Sequence, residues 1–599
     1  MNQKWFEMPE IRRRTFAKSV WIPLRAVNTI EEVGRHGFAG YKLEFFGAGS
    51  LAIPVDKKTE AEKLGWSDVG ISHCHSGYIQ DDEYIPSNVY KMYDGKLTGE
   101  CLVLEQRGNS NEKNEWHLNQ DFVITLGLKR EGDVWVRPDE GYIKVAKLYQ
   151  REDSSPYLIE VRAMHLRDYL CARKMALYIT SYRDRAEVVE NVAHLSWKEK
   201  SLTEKKGMDR WEGGIFEIHE GGMAFGEKTA VFHVARTDVD PEEDVPTFGL
   251  PTNDNVKSKS WVKEYHERKL YRVEGELWRN EWIEPASKSP LVRRDKIPPT
   301  IFFITDAEGN LENRETLVNS SRWLWFRPDV VIALTHYRGG SLSWYTKDTG
   351  SVGCSPDDNV HFGINSLGLV NVYAKDIGML PDWQQKIWAG YNISPEGKVS
   401  KELLASQMKA EPANTQAPEA FLLKGLAMLN HLAKAKYGIT IVRSHEQIPK
   451  LIKRSNRFRA TDKNGLFALA KDLARITADS FDTKAMQKLV APPKGTKWNS
   501  LKSLENLLAT TLGPSHARAI LSPLFGIYEL RLADAHLPKK DIEDTFTLLG
   551  VDRKLPTIIQ GYQLLNSCVN SIYEICRVIG DEKNHDSQKK DNPSPLHSN

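Results

Sequence analysis

Apolar and polar positions follow two different patterns along the chain, and the change falls near residue 394. Before it, short β-branched and aromatic runs sit between Gly, Asn and Asp: Tyr41-Lys42-Leu43-Glu44-Phe45-Phe46, Asp121-Phe122-Val123-Ile124-Thr125-Leu126, Gly132-Asp133-Val134-Trp135-Val136, Thr300-Ile301-Phe302-Phe303-Ile304 and Asp329-Val330-Val331-Ile332-Ala333-Leu334. Runs of that kind, bounded by turn residues, predict strands. One helix is predicted over 158–185, where Val161, Met164, Leu166, Leu170, Met175 and Leu177 fall near helical spacing and would brace a sheet. The paired glycines of Tyr337-Arg338-Gly339-Gly340-Ser341-Leu342-Ser343-Trp344 predict a tight turn between two strands.

Beyond residue 418 the apolar period lengthens, predicting helices over 419–437, 465–478, 502–511, 515–536, 539–549 and 556–579. Pro538 directly before Lys539, and Gly550 after Leu548-Leu549, supply start and stop chemistry. Tryptophan supports the same division, since Trp498 alone follows Trp388. The expected class is therefore α+β and multidomain, because 599 residues exceed what one core holds. We expect a β-rich domain over 1–157, a mixed α/β region over 158–393, a linker at 394–418, an all-α bundle over 419–580 and a disordered polar tail over 581–599.

Composition adds little until it is read locally. A formal net charge of +2 over the whole chain selects no partner, yet residues 401–500 carry 18 Lys plus Arg against 8 Asp plus Glu. The densest part runs from Lys450 through Lys453, Arg454, Arg457, Phe458 and Arg459 to Lys463. Such a run can neutralise phosphates while the aromatic ring stacks on a base, so these residues are expected to bind RNA. A solvated helix face or a protein-docking patch would give the same run.

The longest apolar runs are far below the roughly 20 residues that cross a bilayer. The first residues, Met1-Asn2-Gln3-Lys4-Trp5-Phe6-Glu7, lack a basic segment followed by an apolar one. No membrane partner and a cytoplasmic location are expected. Six cysteines without a CxxC pair suit reduced thiols.

Candidate chemistry concentrates in Leu530-Arg531-Leu532-Ala533-Asp534-Ala535-His536-Leu537-Pro538. An Arg followed after four residues by His, inside a helical domain, resembles the HEPN superfamily of small helical bundles, many of them metal-independent ribonucleases. The resemblance implies that two protomers pack with both pairs facing one cleft, making the protein a homodimer. It implies that Arg531 binds the scissile phosphate, that His536 is general acid or base and that Asp534 orients one of them, with no metal or cofactor. Those roles suit a permanently charged fork and a side chain titrating near neutrality, which could promote ribose 2′-hydroxyl attack on the adjacent phosphate. Leu532 departs from the polar residue that many catalytic members place after the Arg. Five residues apart on a straight helix means about 140°, so convergence within one chain needs the helix to end or bend, as Pro538 would allow. The alternative is an Arg531–Asp534 surface pair with His536 capping a helix end.

Other clusters are weaker. His73 and His75 flank Cys74 in an alternation that suits zinc, but no second ligand pair follows, so no metal is expected. His165, Arg167, Asp168 and Arg173 fit an amphipathic helix with salt-bridged flanks; His336 and Arg338 fit a plain hairpin; Trp383, Trp388 and Tyr391 fit a packed aromatic cluster. Phosphate-loop, GxSxG, HExxH and dinucleotide fingerprints are absent. The expected function is a HEPN-like endoribonuclease, of toxin or antiviral-defence type, controlled by an N-terminal part that recognises an unknown trigger. The alternative is a non-catalytic nucleic-acid- or protein-binding factor whose helical domain mediates dimerisation.

Overall fold

The computed structural model describes the chain except residues 1–3, 71–77, 81, 92–96, 107–113, 196, 198, 222–227, 237–255, 265–267, 537–538 and 581–599. At 28–30, 78, 80, 228–236, 256–264, 532–536 and 539–541 it describes the backbone alone. The fold is mixed α+β, β-rich toward the N-terminus and helical toward the C-terminus. Contacts divide it into two units, Met1–Pro298 and Pro299–Asn599.

The first unit is built on a 12-stranded antiparallel sheet. At its centre lie three long strands, Lys42–Pro54, Met175–Val189 and Lys269–Ile283, the last two paired from Leu177↔Ile283 to Val189↔Tyr271. The helix predicted over 158–185 is confined to Ala163–Arg173, and its flanks are strands Pro156–Arg162 and Met175–Val189. Ile159 and Val161, then Leu177 and Ile179, alternate into the core, and ladder pairing of these β-branched and aliphatic residues overrides the helical spacing. With Met175–Val189 paired directly to Lys42–Pro54, residues 1–157 and 158–298 share one sheet. The short helix does carry paired charges: His165 contacts Glu140 at 2.6 Å, and Asp168 accepts from Leu291 N–H at 2.9 Å. Its Arg173 forks onto Asp121 at 2.7 and 2.5 Å.

The second unit joins a six-stranded antiparallel sheet to the helical region. Two predicted strands are helices here: Gln120–Thr125 in the first unit and Asp329–Thr335 in this one. An Asn119 side chain caps the former, and Pro328 precedes the latter, which turns Val330, Val331 and Leu334 inward. Short apolar runs cannot distinguish a strand from a buried helical turn. Gly339-Gly340 accordingly joins that helix to strand Ser341–Trp344 instead of joining two strands. A Cβ on Gly340 would lie 2.5 Å from the Thr335 carbonyl, so only glycine fits.

All six predicted C-terminal helices are present, as Leu422–Tyr437, Lys463–Ile476, Ser500–Leu512, Pro514–His536, Lys539–Leu548 and Thr557–Gly580, joined by Ile448–Arg454 and Thr483–Leu489. The stretch expected to be a linker is fastened within the second unit. Ser400 N–H donates to Asn371 Oδ1 at 2.9 Å, and Glu402 accepts from Thr415 Oγ1 at 2.7 Å and from Asp348 N–H at 2.9 Å. The aromatic cluster is real: Trp388 packs edge-on to Phe326 at 4.8 Å, and Trp383 meets Tyr337 at 5.7 Å. Cys171, Cys354, Cys568 and Cys576 are free thiols, whereas Cys101 is disulfide-bonded, against the expectation that all six are reduced. Among the described residues no helix is long and apolar enough to cross a membrane.

Candidate anion-binding cleft

The helix Lys463–Ile476 begins where the Asp462 carboxylate accepts from Gly465 N–H at 2.6 Å. It buries Leu466, Phe467, Leu469, Ala470, Leu473, Ala474 and Ile476. Its opposite stripe is Asn464, Ala468, Lys471 and Arg475, spaced four, three and four residues apart and so on one face. Arg454, at the end of Ile448–Arg454, and Arg459, in the turn Arg457–Ala460, complete a cleft of about 450 Å³.

Four cations thus surround one carboxylate, Asp472, which is 2 % exposed. Its Oδ1 is bound by Arg454, and its Oδ2 lies 3.8 Å from Arg459 Nε without a hydrogen bond. Among the described residues Lys471 and Arg475 have no carboxylate partner. The cleft can therefore take an anion through Lys471 and Arg475, while Asp472, buried behind Arg454 and Arg459, holds those two cations in place.

Arg475 also lines a second cleft of about 400 Å³ with Arg443, Ser444, His445, Gln447, Ile448, Leu451, Asp479 and Ser480. Arg443 is fixed there by donating to the Asp479 carbonyl at 2.6 Å. The Asp479 carboxylate is in turn bound by Arg531, whose guanidinium also lies 5.4 Å from the Tyr528 ring. The cationic track consequently runs from Arg454 and Arg459 past Lys471 and Arg475 to Arg443, and ends beside Arg531.

The motif helix, Pro514–His536, holds Ala517, Leu521, Leu524, Ile527 and Leu530 in the core and leaves the Arg531 side chain 30 % exposed. It continues without a break from Arg531 to His536, so the helix end expected between them is not there. The side chains of Asp534 and His536, and residues Leu537 and Pro538, lie outside the described residues. So do His73, Cys74 and His75; among the described residues no three potential ligands group around a metal position.

The chain matches no protein-family model, no curated protein and no solved structure.

Of the predicted RNA-binding residues, Lys450 and Lys453 are exposed on their helix, and Arg454 and Arg459 enter the cleft. Arg457 and Phe458 do not, and this corrects the expectation that the ring is open to a base. Both are fully buried against the six-stranded sheet. Phe458 stacks on Trp344 at 5.6 Å and meets Phe362 edge-on at 5.6 Å. Arg457 donates to Glu419 at 2.7 and 2.9 Å and to the Lys347 carbonyl at 2.8 Å, between the rings of Trp344 and Tyr562. A desolvated guanidinium needs that many partners, and the charge run contains none of them. Sequence reasoning missed Arg443, Lys471, Asp472 and Arg475. Their signal was the polar stripe of Lys463–Ile476, visible once that helix is assigned.

Proposed function

We propose that the protein is an RNA-acting effector of the HEPN type, in which the helical region binds the phosphate backbone and Arg531 with His536 cleaves it, under control of the N-terminal unit. One observation carries this reading: a track of cations, of which Lys471, Arg475 and Arg443 have no carboxylate partner among the described residues, reaches the motif arginine. Phosphates recur at every nucleotide of a strand, so such a track guides a strand toward one residue, with the energy supplied largely by counterion release.

The unbroken helix bears on how cleavage would be assembled. Arg531 and His536 diverge by about 140° around it, so an arginine from one copy beside a histidine from a second copy is the simpler way to one active site. Dimerisation then precedes activity. Arg531 would stabilise charge on the phosphate, and His536 would take the 2′-hydroxyl proton or supply one to the leaving 5′-oxygen.

A second reading, binding without cleavage, is favoured by the Asp479 carboxylate, which already occupies Arg531. Purified full-length protein with radiolabelled RNA separates the two. Under the first reading RNA is cut to 2′,3′-cyclic phosphate ends, and Arg531→Ala with His536→Ala abolishes cutting of RNA that the protein still binds. Intact RNA with retained binding, across dimer-forming concentrations and candidate triggers, would establish the second.

A further inference from the structure

The N-terminal unit contains a small cationic pocket that has no part in the RNA-binding reading. It has a volume of about 170 Å³ and is lined by Ile11, Arg14, Thr15, Phe16, Ser19, Ser181, Arg183, Leu277 and Arg279. The floor follows from strand periodicity. Ser181 and Arg183 stand two apart on Met175–Val189, opposite Arg279 and Leu277 on Lys269–Ile283, and so share one sheet face. The segment 11–19 covers that face.

Arg279 holds the cover in place and is fully used in doing so. It donates to the carbonyls of Ile11, Arg12 and Arg14 and forks onto Asp209 at 2.7 and 2.6 Å. Glu281 fixes the same segment by accepting from Phe16 N–H at 3.1 Å. Neighbouring Arg185 is likewise paired, with Glu10 at 2.8 Å and Glu44 at 2.9 Å.

Arg183 is different. Among the described residues it has neither a hydrogen bond nor an ion pair, only the Phe46 ring 4.0 Å from its guanidinium carbon. Burial, with Arg185 and Arg279 nearby, lowers its pKa to about 10 against the pull of Glu44 and Glu10. A half-buried guanidinium with no hydrogen-bonding partner keeps its donors available to a negative group in the space beside it. Arg14, at the rim, is exposed and has no carboxylate partner among the described residues, and the Thr15 hydroxyl adds a donor, whereas the Ser19 hydroxyl donates to the Thr15 carbonyl at 3.3 Å.

We propose that this pocket binds a tetrahedral oxyanion of the phosphate class, held by Arg183 and Arg14 and by the Thr15 hydroxyl. Its volume is below the roughly 300 Å³ at which pockets begin to enclose drug-sized ligands, so it fits inorganic phosphate or the phosphate end of a small ester, with any larger body outside. The anion would tie segment 11–19 to the centre of the sheet, a suitable place for a small-molecule signal to act. This site stands or falls independently of RNA cleavage.

The test is thermal unfolding of the full-length protein in phosphate, in sulfate and in adenosine monophosphate, each at constant ionic strength set with chloride. Arg183→Leu is compared with wild type, and Lys471→Ala with Arg475→Ala serves as control because the helical cleft also attracts anions. Phosphate is expected to raise the midpoint of the first unit equally in wild type and control. In Arg183→Leu its affinity should fall by about tenfold or more, the worth of one charge-assisted hydrogen bond. Without anion, Arg183→Leu should melt no lower than wild type, since the charge it removes has no partner. A stronger effect of adenosine monophosphate than of phosphate would identify an ester ligand, and a stronger effect of sulfate a preference for sulfate over phosphate. An equal anion response in Arg183→Leu and wild type, a response lost only in the helical-cleft control, or no response to any of the three anions would overturn the proposal.

Discussion

Arg531 is bound by Asp479, a residue that also forms part of the wall of the cleft containing Arg475. The motif arginine and the cationic track therefore meet at one carboxylate, which either orients Arg531 or keeps it from substrate. With both side chains about one third exposed, the pair contributes at most about 1 kcal/mol to stability. Asp479→Asn should consequently melt close to wild type and bind RNA more tightly, because it removes a negative charge beside the track. Weaker binding, measured by filter retention at fixed salt, would mean that Asp479 positions the arginine for its ligand.

Lys471 and Arg475 lack ion-pair partners among the described residues, so removing them frees no buried charge. Lys471→Ala with Arg475→Ala should leave the unfolding free energy within about 0.5 kcal/mol of wild type. The slope of log affinity for RNA against log salt concentration should drop by roughly 1.4–1.8, as expected for two lost phosphate contacts. An unchanged slope would place the RNA elsewhere.

Phe458→Ala should behave in the opposite way. Deleting a ring packed between Trp344 and Phe362 costs about 3–5 kcal/mol, seen as an early transition of the second unit. Arg457→Ala leaves Glu419 without its fork and should cost a similar amount, about 3–5 kcal/mol. Neither substitution should change the salt slope of the protein that remains folded.

Asp184 provides a pH signature in the first unit. Burial, then the nearby Glu274 and Glu276, push its carboxyl up to about 7 against the pull of Arg272. The folded state therefore holds this proton more tightly than the unfolded chain, whose value is near 3.8. Stability from this group is complete below the unfolded value and is lost as pH rises toward and through about 7. Asp184→Asn should raise the midpoint of the first unit above wild type at about pH 8, and the two should converge below about pH 4. Parallel curves across that range would show that Asp184 is not the titrating group.

Six helices of the helical region were legible because their apolar period is local, whereas Ile448–Arg454 and Thr483–Leu489, which bury only Leu451 and Met486, were not. Gln120–Thr125 and Asp329–Thr335 were not, since six or seven residues with β-branched content satisfy either period, and the sheets that cover them are built from distant strands. The basic segment was only half legible. Its charge was plain, but the direction of each side chain is set by the turn Arg457–Ala460, where Asn456 Oδ1 accepts from Phe458 N–H at 3.1 Å. Glu419, the partner that draws Arg457 inward, is 38 residues away. The small pocket under residues 11–19 was beyond reach, because it depends on the register between two strands nearly a hundred positions apart.

The turn Arg457–Ala460 has two sides in two different worlds. Its inward side chains, Arg457 and Phe458, are keyed into Trp344 and the Lys347 carbonyl of the sheet, while the next residue, Arg459, reaches into the cationic cleft. Sheet and cleft are thus geared together over a single peptide bond, so a rearrangement at Trp344 reaches the cleft without crossing the helical core. A piece cut at residue 419 would lose that gearing, and with it the apolar cover of Phe458 and Ile558.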